Sequence, residues 1–324
     1  MGVNASVLAI DAGNSKTDVA LIGADGTILS TGRGGGFQPP VVGIEAAVDV
    51  LGAAVGQALE LSGVPAVAVT HVSACLANAD LPVEEKQLAQ ALGARGWGAT
   101  VEVRNDTFAI LRAGVDEPRG VAVVCGAGIN CVGMVPDGRT ARFPAIGRIS
   151  GDWGGGAGLA EEAMWFASRA EDGRGEPTEL ARTLPGHFGL GSMYALIEAL
   201  HLGHVEFERR HELAPVLFAT AAAGDPVAGA LVDRLAQEVV AMASVALGRL
   251  GLLDEEAPVV LGGGVLAARH PQLDGRIAEL LAVRAPKAVV RVVTEPPVLG
   301  AALLGLDRTG AGAPVHERLR AQYG

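Results

Sequence analysis

The stretch VLAIDAGNSKTDVALIGADG, residues 7–26, holds the pattern on which the fold depends. A short apolar run is followed by a polar loop with a glycine, a second apolar run and an Asp-Gly pair. Short apolar runs bounded by turn residues are typical of buried strands, and Asp-Gly is a hairpin turn signal. The stretch therefore predicts two strands joined by a polar loop at residues 11–18, with a further turn at residues 25–26.

The same order returns at residues 121–138, which read VAVVCGAGINCVGMVPDG. We interpret the repetition as an internal duplication of an α/β unit that begins with a hairpin. Two unrelated glycine hairpins are the alternative interpretation. Elsewhere, helical spacing at residues 41–61, 84–92, 107–112, 157–170, 226–252 and 297–306 alternates with strand-like runs at 66–72, 100–103, 259–261 and 288–293. This alternation predicts an α/β fold with mixed sheets.

Composition and charge narrow the functional classes. The 25 basic residues are outnumbered by 36 acidic ones among 324 residues, which argues against nucleic-acid and anionic-membrane partners. The three cysteines form no Cys-x-x-Cys pair, so a reducing compartment fits better than a disulfide framework. No signal peptide or membrane span is evident, and we expect a cytoplasmic protein. The tail beyond Asp307 is rich in Gly, Ala, Pro and charge, and is expected to be loosely held.

Glycine-containing loops are the first candidate sites. The loop at 11–18 brings backbone N–H groups and short hydroxyls to one point, as phosphate oxygens require, and Asp11 could hold Mg²⁺ through water. An ordinary polar hairpin loop is the alternative. Gly126 and Gly128 would let an anion approach the backbone, or would relieve a strained hairpin. The three glycines at 262–264 follow a strand and would either receive a nucleoside or allow close helix–strand packing.

Two carboxylates are further candidates. Asp106 lies between a strand and a helix, where it would serve as a general base in a cleft or as a helix N-cap. Asp152 lies in SGDWGGG, residues 150–156, and would either contact a ligand or form the turn. The seven histidines lack the spacing of metal ligands, and we interpret Cys125 and Cys131 as small core residues.

In this order, six stretches resemble the N-acetylglucosamine kinase and BadF/BadG-type ATPase family of the actin-like ATPase superfamily, which includes sugar kinases, Hsp70 and actin. They are IDAGNSKTD (10–18), NDT (105–107), CGAGIN (125–130), GD (151–152), LGGG (261–264) and PVLGAA (297–302). The resemblance runs from residue 7 to about residue 306. It implies two duplicated ribonuclease H-like domains with an interdomain cleft, at 1–115 and 116–296. The C-terminal helix, 297–310, would pack back on the first domain.

The resemblance also implies an activity, the transfer of the γ-phosphate of ATP to the primary 6-hydroxyl of N-acetylglucosamine with Mg²⁺. Asp106 matches the base of the family, Asp11 would organise Mg²⁺, and Asp106, Asn130 and Asp152 would lie at the sugar. The phosphate loops would be Gly13, Asn14, Ser15, Lys16 and Thr17 in the first hairpin and Gly126, Ala127 and Gly128 in the second, with Gly262, Gly263 and Gly264 against adenosine.

Departures from the family pattern lie around the predicted sugar pocket. Gln38 in GFQPP (36–40) stands where asparagine is frequent, and we take it as the substitute. Asn78 in CLANAD (75–80) stands where glycine is frequent, and Trp153 stands where an acidic residue is common. These changes concern the identity of the sugar rather than the use of ATP.

Several alternatives stay open. The substrate could be glucosamine or another hexose. Related ATPases activate dehydratases or reductases through an iron–sulfur cluster, but a cluster needs thiolate ligands, which three scattered cysteines fit poorly. A nucleotide sensor without enzymatic activity is a third reading, although the base and the sugar-side aspartate argue against it. The expected partner is a small sugar, and a homodimer is possible because it is common among similar proteins.

Overall fold

The computed structural model describes residues 5–324. Its strands form two five-stranded sheets. The strands are β1 (Ala5–Ala12), β2 (Thr17–Gly23), β3 (Ile28–Gly34), β4 (Val69–Leu76), β5 (Thr100–Asn105), β6 (Gly120–Cys125), β7 (Ile129–Met134), β8 (Thr140–Arg142), β9 (Ala257–Gly262) and β10 (Ala288–Val292). The helices are α1 (Pro39–Val42), α2 (Ile44–Ser62), α3 (Pro82–Ala94), α4 (Thr107–Ala113), α5 (Gly155–Glu171), α6 (Leu180–His187), α7 (Met193–His201), α8 (Leu213–Ala222), α9 (Pro226–Leu250), α10 (Gly263–Ala267), α11 (Pro271–Arg284), α12 (Pro297–Thr309) and α13 (Ala313–Arg320).

The two sheets share one strand order. In the first sheet the order is β3-β2-β1-β4-β5, and in the second it is β8-β7-β6-β9-β10. The first three strands of the first sheet are antiparallel, and β4 and β5 run parallel to β1. The second sheet repeats an antiparallel pair, β7 and β8, and a parallel pair, β9 and β10. The predicted α/β class with a duplicated unit is therefore confirmed.

The chain divides into two compact units. The first comprises the described residues up to 122, together with 132–144 and 293–324, and the second comprises 123–131 and 145–292. The division passes through β6 and β7. The predicted boundary between residues 115 and 116 lies just before β6 and stays a prediction.

The core of the first unit lies on both faces of β1. This strand is apolar and almost wholly buried, as expected for a strand covered on two sides. Residues of β1 share one hydrophobic core with α2. Helix α12, which belongs to the same unit, packs against both β1 and α4. A Cβ at Gly300 would lie 1.8 Å from the carbonyl oxygen of Ala109, and one at Gly305 would lie 2.4 Å from Val7. Helix α12 can approach this closely because both positions lack a side chain.

The expectation of a loosely held tail is wrong. The tail forms α13, and Leu319 within it is fully buried. Arg320 Nη1 donates to the carbonyl of Ala113 at 2.8 Å, and Gln322 Nε2 donates to the carbonyl of Gly26 at 2.9 Å. Composition could not reveal these bonds, because their acceptors are backbone carbonyls about two hundred or more residues earlier in the chain.

Helices dominate the second unit. Helix α9 begins where the Asp225 carboxylate accepts the N–H of Ala228 at 2.8 Å, and it ends at Gly251 in the left-handed conformation. Sequence spacing missed α6, α7, α8 and α11 of this unit. In the first unit, β4 begins at residue 69, three residues after the predicted start at 66, because residues 66–68 form a 3-10 turn. No single helix in the described residues is long and apolar enough to cross a membrane; residues 207–222 and 226–250 pass only as a pair bent by 112°.

Candidate functional site

The carboxyl ends of β1, β4 and β5 meet at one edge of the first sheet. Ala12 is in register with Leu76, and Leu76 with Asn105. The next residues continue the contact, since the N–H of Ala77 donates to Ala12 O at 2.8 Å and that of Asp106 to Leu76 O at 3.2 Å. The loops that follow these strands therefore lie side by side. This edge brings the predicted residues Asp11 and Asp106 close enough to interact electrostatically.

Asp11 and Asp106 are both shifted toward the protonated form. The Asp11 side chain is buried, and burial together with the negative charges of Asp106 and Asp18 raises its pKa to about 8. Burial also raises the pKa of Asp106 to about 6, against hydrogen bonds from Thr107. Asp106 directly precedes α4 but makes no side-chain capping hydrogen bond, and Asn105 Oδ1 accepts the N–H of Thr107 at 2.9 Å. The N-cap alternative for Asp106 is therefore not supported, and the residue as a whole is partly buried.

The electrostatics of this pair suit a divalent cation. The negative charge of Asp106 raises the pKa of Asp11, and a cation beside the two carboxylates would relieve this repulsion. In the described part of the chain, no group of three or more His, Cys, Asp or Glu side chains could hold a metal by itself. Mg²⁺ commonly uses one or two carboxylates and completes its shell with water and substrate phosphates. The donor set therefore fits Mg²⁺ brought with a nucleotide better than a permanently bound ion.

Amide side chains gather beside the two carboxylates. Asn78 Nδ2 donates to Asn14 Oδ1 at 2.9 Å and to the carbonyl of Phe37 at 3.2 Å, and Gln38 Nε2 donates to the carbonyl of Asn14 at 2.8 Å. A Cβ at Gly36 would lie 2.1 Å from that same carbonyl. Asn78 has a φ of 60°, a conformation that asparagine tolerates better than most residues. This explains how asparagine stands where the family frequently has glycine.

Sequence reasoning missed the residue that holds this edge together, Arg142 in β8. Its guanidinium donates to Glu85 Oε2 at 2.7 Å and to the carbonyls of Ala79 and Asp80 at 3.4 and 3.3 Å. Asp80 Oδ1 in turn accepts a hydrogen bond from Asn105 Nδ2 at 2.8 Å. The arginine therefore ties α3 to the loop that carries Asn78. No local motif signals this role, because Arg142 lies more than fifty residues along the chain from its partners.

In the first hairpin loop, some predicted phosphate ligands are already engaged. Thr17 Oγ1 donates to the carbonyl of Gly35 at 2.8 Å, and Lys16 Nζ lies 2.8 Å from Asp18 Oδ2. Gly13 closes the loop by donating its N–H to the carbonyl of Lys16 at 2.9 Å. Ser15 and Asn14 stay exposed at the tip. The structure thus joins Asn14 to Gln38 and Asn78, so the predicted phosphate loop and sugar loop of this unit are neighbours.

The second hairpin loop rests on the start of α5. The N–H of Gly156 donates to Gly126 O at 2.7 Å, and that of Ala157 donates to Ala127 O at 3.1 Å. Gly155 has a φ of +75°, and a Cβ there would lie 2.3 Å from Ala127 O. The fold therefore requires glycine at 155. At Gly126 and Gly128, by contrast, a Cβ would meet nothing within 4 Å and φ is not positive.

The predicted adenosine glycines have different environments. A Cβ at Gly263 would lie 2.5 Å from the backbone of Cys125, which supports the packing alternative there, and Gly262 is buried. Gly264 instead lines a cavity of about 330 Å³ together with Gly126. The rest of the lining is mostly apolar: Ala127, Gly156, Ala157, His211, Ala214, Pro215, Phe218, Val265, Ala268 and His270.

Two residues of this cavity, Phe218 and His270, were missed. Their rings stack with centroids 3.9 Å apart and planes within 2°. Phe218 lies on α8, a helix that sequence spacing did not detect. A cavity with apolar walls and a flat stacked pair is suited to a planar heterocycle.

Asp152 and Asn130 are engaged locally. Asp152 Oδ2 accepts the N–H of Gly147 at 2.9 Å and the hydroxyl of Ser150 at 2.6 Å, as the turn-forming alternative expected. Asn130 Oδ1 accepts the N–H of Cys131 at 2.7 Å. Both lie in the second unit, and their contact with a sugar stays a prediction. Trp153 is buried beneath the guanidinium of Arg234, 4.2 Å from its ring centre.

Two kinases of known activity have sequences similar to this chain. Over 190 residues the chain is 26% identical to an N-acetylmuramic acid/N-acetylglucosamine kinase of Clostridium acetobutylicum, a match that spans 59% of this chain and 62% of that enzyme. Over 215 residues it is 26% identical to an N-acetyl-D-glucosamine kinase of Dictyostelium discoideum, spanning 65% of this chain and 67% of that protein.

Solved structures share the fold. A putative N-acetylglucosamine kinase from Chromobacterium violaceum superposes with a TM-score of 0.68 at 24% identity, covering 94% of this chain and all of that one. A ROK family glucokinase from Streptomyces griseus, in complex with glucose and AMPPNP, superposes with a TM-score of 0.55 at 19% identity, covering 92% and 98%. The BadF/BadG/BcrA/BcrD ATPase family matches residues 8–305, almost the whole chain. The chain belongs to the BadF/BadG/BcrA/BcrD ATPase family.

Proposed function

We propose that the protein is an ATP-dependent amino-sugar kinase that transfers the γ-phosphate to the primary 6-hydroxyl of N-acetylglucosamine. The observation that carries the proposal is the pair Asp11 and Asp106 at one strand edge beside an amide cluster. A carboxylate with a pKa of about 6 is mostly deprotonated at neutral pH and still basic enough to accept a hydroxyl proton. Amide side chains supply the donors and acceptors that sugar hydroxyls need.

In this proposal Asp106 is the general base. Its carboxylate accepts the proton of the 6-hydroxyl as that oxygen forms a bond to the γ-phosphorus and the bond to the β,γ-bridging oxygen breaks. Asp11 would hold Mg²⁺, which when bound neutralises charge on the phosphate oxygens. Positioning of the hydroxyl by the neighbouring amides supplies much of the rate, because phosphoryl transfer asks little covalent chemistry of a protein.

The two glycine loops would bind phosphates. Gly126 and Gly128 support this role because neither packing nor backbone conformation requires glycine there. The cavity beside them, with Gly264, would receive the adenine base. Gly263 would act through packing rather than through contact with the nucleoside. The predicted interdomain cleft and the homodimer stay predictions.

The cysteines favour this kinase over a cluster-carrying activator. Cys75, Cys125 and Cys131 are all buried, and burial raises the pKa of each thiol, that of Cys125 to about 12. Thiols in such surroundings resist the deprotonation that iron–sulfur ligation needs.

A coupled ADP-release assay across a sugar panel tests the proposal. The panel contains N-acetylglucosamine, glucosamine, glucose and N-acetylmannosamine, with product masses measured in parallel. We expect the largest kcat/KM for N-acetylglucosamine and a product heavier by one phosphate. Preference for a hexose without an amino group would overturn the substrate class, and ADP release that ignores every sugar would overturn the kinase itself.

A further inference from the structure

A second cavity of about 220 Å³ lies in the first unit, beside the amide cluster. Its apolar wall consists of Pro39 and Pro40 at the start of α1, Ile44 at the start of α2, and Leu88 of α3. Asn78 also lines it, and Pro39 directly follows Gln38. The cavity therefore adjoins the residues that the proposed function assigns to the sugar.

Asn78 points to the kind of group that would enter. Its Nδ2 donates to Asn14 Oδ1 and to the carbonyl of Phe37, which uses both hydrogens of the amide. Its Oδ1 is left to accept a hydrogen bond from a ligand. A group with an N–H followed by a short apolar chain matches an acceptor at the rim of an apolar wall.

From this we propose that the cavity is the subsite for the N-acyl group of the amino sugar, and that it admits acyl chains longer than acetyl. The inference rests on the proposed function and deepens it. The amide N–H would donate to Asn78 Oδ1, and the acyl carbons would lie against Ile44, Pro39 and Pro40.

The volume sets the tolerance for chain length. A water molecule occupies about 30 Å³ of liquid, so the cavity has room for about seven, whereas an acetyl group has three non-hydrogen atoms. Added methylenes would therefore find space, and each one that is buried favours binding by up to about fourfold.

The charged residues around the cavity determine which acyl chains can enter it. Glu84 lines the cavity, and its Oε2 accepts the N–H groups of Asp80 and Leu81 at 3.0 and 2.8 Å. None of the described lining residues is a lysine or an arginine. An acyl chain that ends in a carboxylate would therefore be disfavoured.

The test measures kcat/KM for glucose and for glucosamine carrying N-acetyl, N-propionyl, N-butyryl or N-succinyl groups. We expect the wild-type protein to use the propionyl sugar within about fourfold and the butyryl sugar within about sixteenfold of the acetyl sugar, and the succinyl sugar at least tenfold less well. The variant Ile44→Phe, which fills the cavity, should lower kcat/KM for the N-acetyl sugar at least tenfold relative to kcat/KM for glucose. Ile44→Ala, which widens it, should shift the preference toward butyryl.

Val41→Phe is the matched control, because Val41 lies on α1, is 75% exposed and is not part of the cavity lining. It should leave all the sugar ratios unchanged. The inference is overturned if the wild-type protein rejects the propionyl sugar, or if the Ile44 variants change all sugars alike while remaining folded by circular dichroism. If the wild-type protein phosphorylates none of these sugars, the proposed function fails and the subsite fails with it.

Discussion

The two glycine hairpins of the molecule begin with similar sequences and are held in different ways. The first is pinned by side chains: Thr17 bonds Gly35, and Asn14 bonds Gln38 and Asn78. The second loop is held to α5 by backbone hydrogen bonds, since Gly126 and Ala127 accept N–H groups from the first turn of that helix. A carboxylate, Asp11, is the last residue but one of β1, before the first loop, and a buried thiol, Cys125, ends β6, before the second loop.

This difference indicates that duplication preserved a framework while the chemistry diverged. The first hairpin brings ionisable and amide groups to one edge, where the proposed function places the activation of a sugar hydroxyl. The second offers a bare backbone beside an apolar cavity, which is suited to phosphates and a base. If a change in one loop produced the effect expected of the other, the two hairpins would not have separate roles.

The largest expected loss of activity follows replacement of Asp106, at the carboxyl edge of the first sheet. Asp106→Asn removes the proton acceptor while keeping the shape, so kcat should fall by about 10²–10⁴-fold. ATP binding, measured by calorimetry, should stay within a few-fold of wild type because the variant leaves the second loop intact. Near-normal turnover by a folded Asp106→Asn protein would remove the base from the account.

A matched pair of glycine substitutions in the second unit comes next. Gly155→Ala should destabilise the protein by about 3 kcal/mol or more, since the new Cβ meets a carbonyl and the backbone has positive φ. Gly126→Ala should change stability by less than about 0.5 kcal/mol but raise the KM for ATP about tenfold. Chemical denaturation and ATP titration of initial rates measure both.

The opposite pattern, with a tolerant Gly155 and a destabilising Gly126, would show that the second loop is glycine-rich for packing reasons. A Gly126→Ala variant with unchanged KM for ATP would remove the phosphate role of that residue.

The sequence predicted the parts of this comparison that depend on local pattern. Hairpins, Asp-Gly turns and the strand-end positions of Asp11 and Asp106 follow from short apolar runs and turn residues. The requirement for glycine at 155 and 263 could not be predicted, because it comes from carbonyls of other segments. The stack of Phe218 on His270, the bonds of Arg142 and the buried Leu319 also depend on tertiary contacts. The run of three glycines at 262–264 could not show by itself that its members have separate roles.

Replacing Asp11 should have opposite effects on stability and on activity. The folded carboxyl, with a pKa near 8, keeps a proton that the unfolded chain loses near 3.8, so wild-type stability falls as pH rises through this range. Asp11→Asn should therefore be more stable than wild type at pH 9, with the gain vanishing near pH 4, and should lose Mg²⁺-dependent activity.

Melting temperatures at several pH values, with and without Mg²⁺, check this prediction. With ATP present, Mg²⁺ should raise the melting temperature of wild type and not of Asp11→Asn. A variant less stable than wild type at pH 9 would mean that the Asp11 carboxylate is stabilised rather than penalised where it lies.

The smallest expected effect is the fall of kcat at acidic pH. Because the base works deprotonated and its pKa lies near 6, kcat should rise with pH and reach half its plateau near pH 6. Residual turnover of Asp106→Asn should lack this limb. A wild-type kcat that stays constant from pH 5 to 8 would contradict a pKa of about 6 for Asp106.

The most direct test of the central claim is to identify the atom that receives the phosphate. Wild-type protein is incubated with ATP, Mg²⁺ and N-acetylglucosamine, and the product is examined by phosphorus-coupled NMR, with the 6-deoxy sugar as a matched control. We predict one phosphate on O6 for each ADP released, and no phosphorylation of the 6-deoxy sugar. Phosphate on another oxygen, or ADP release at the same rate with the 6-deoxy sugar, would contradict the account.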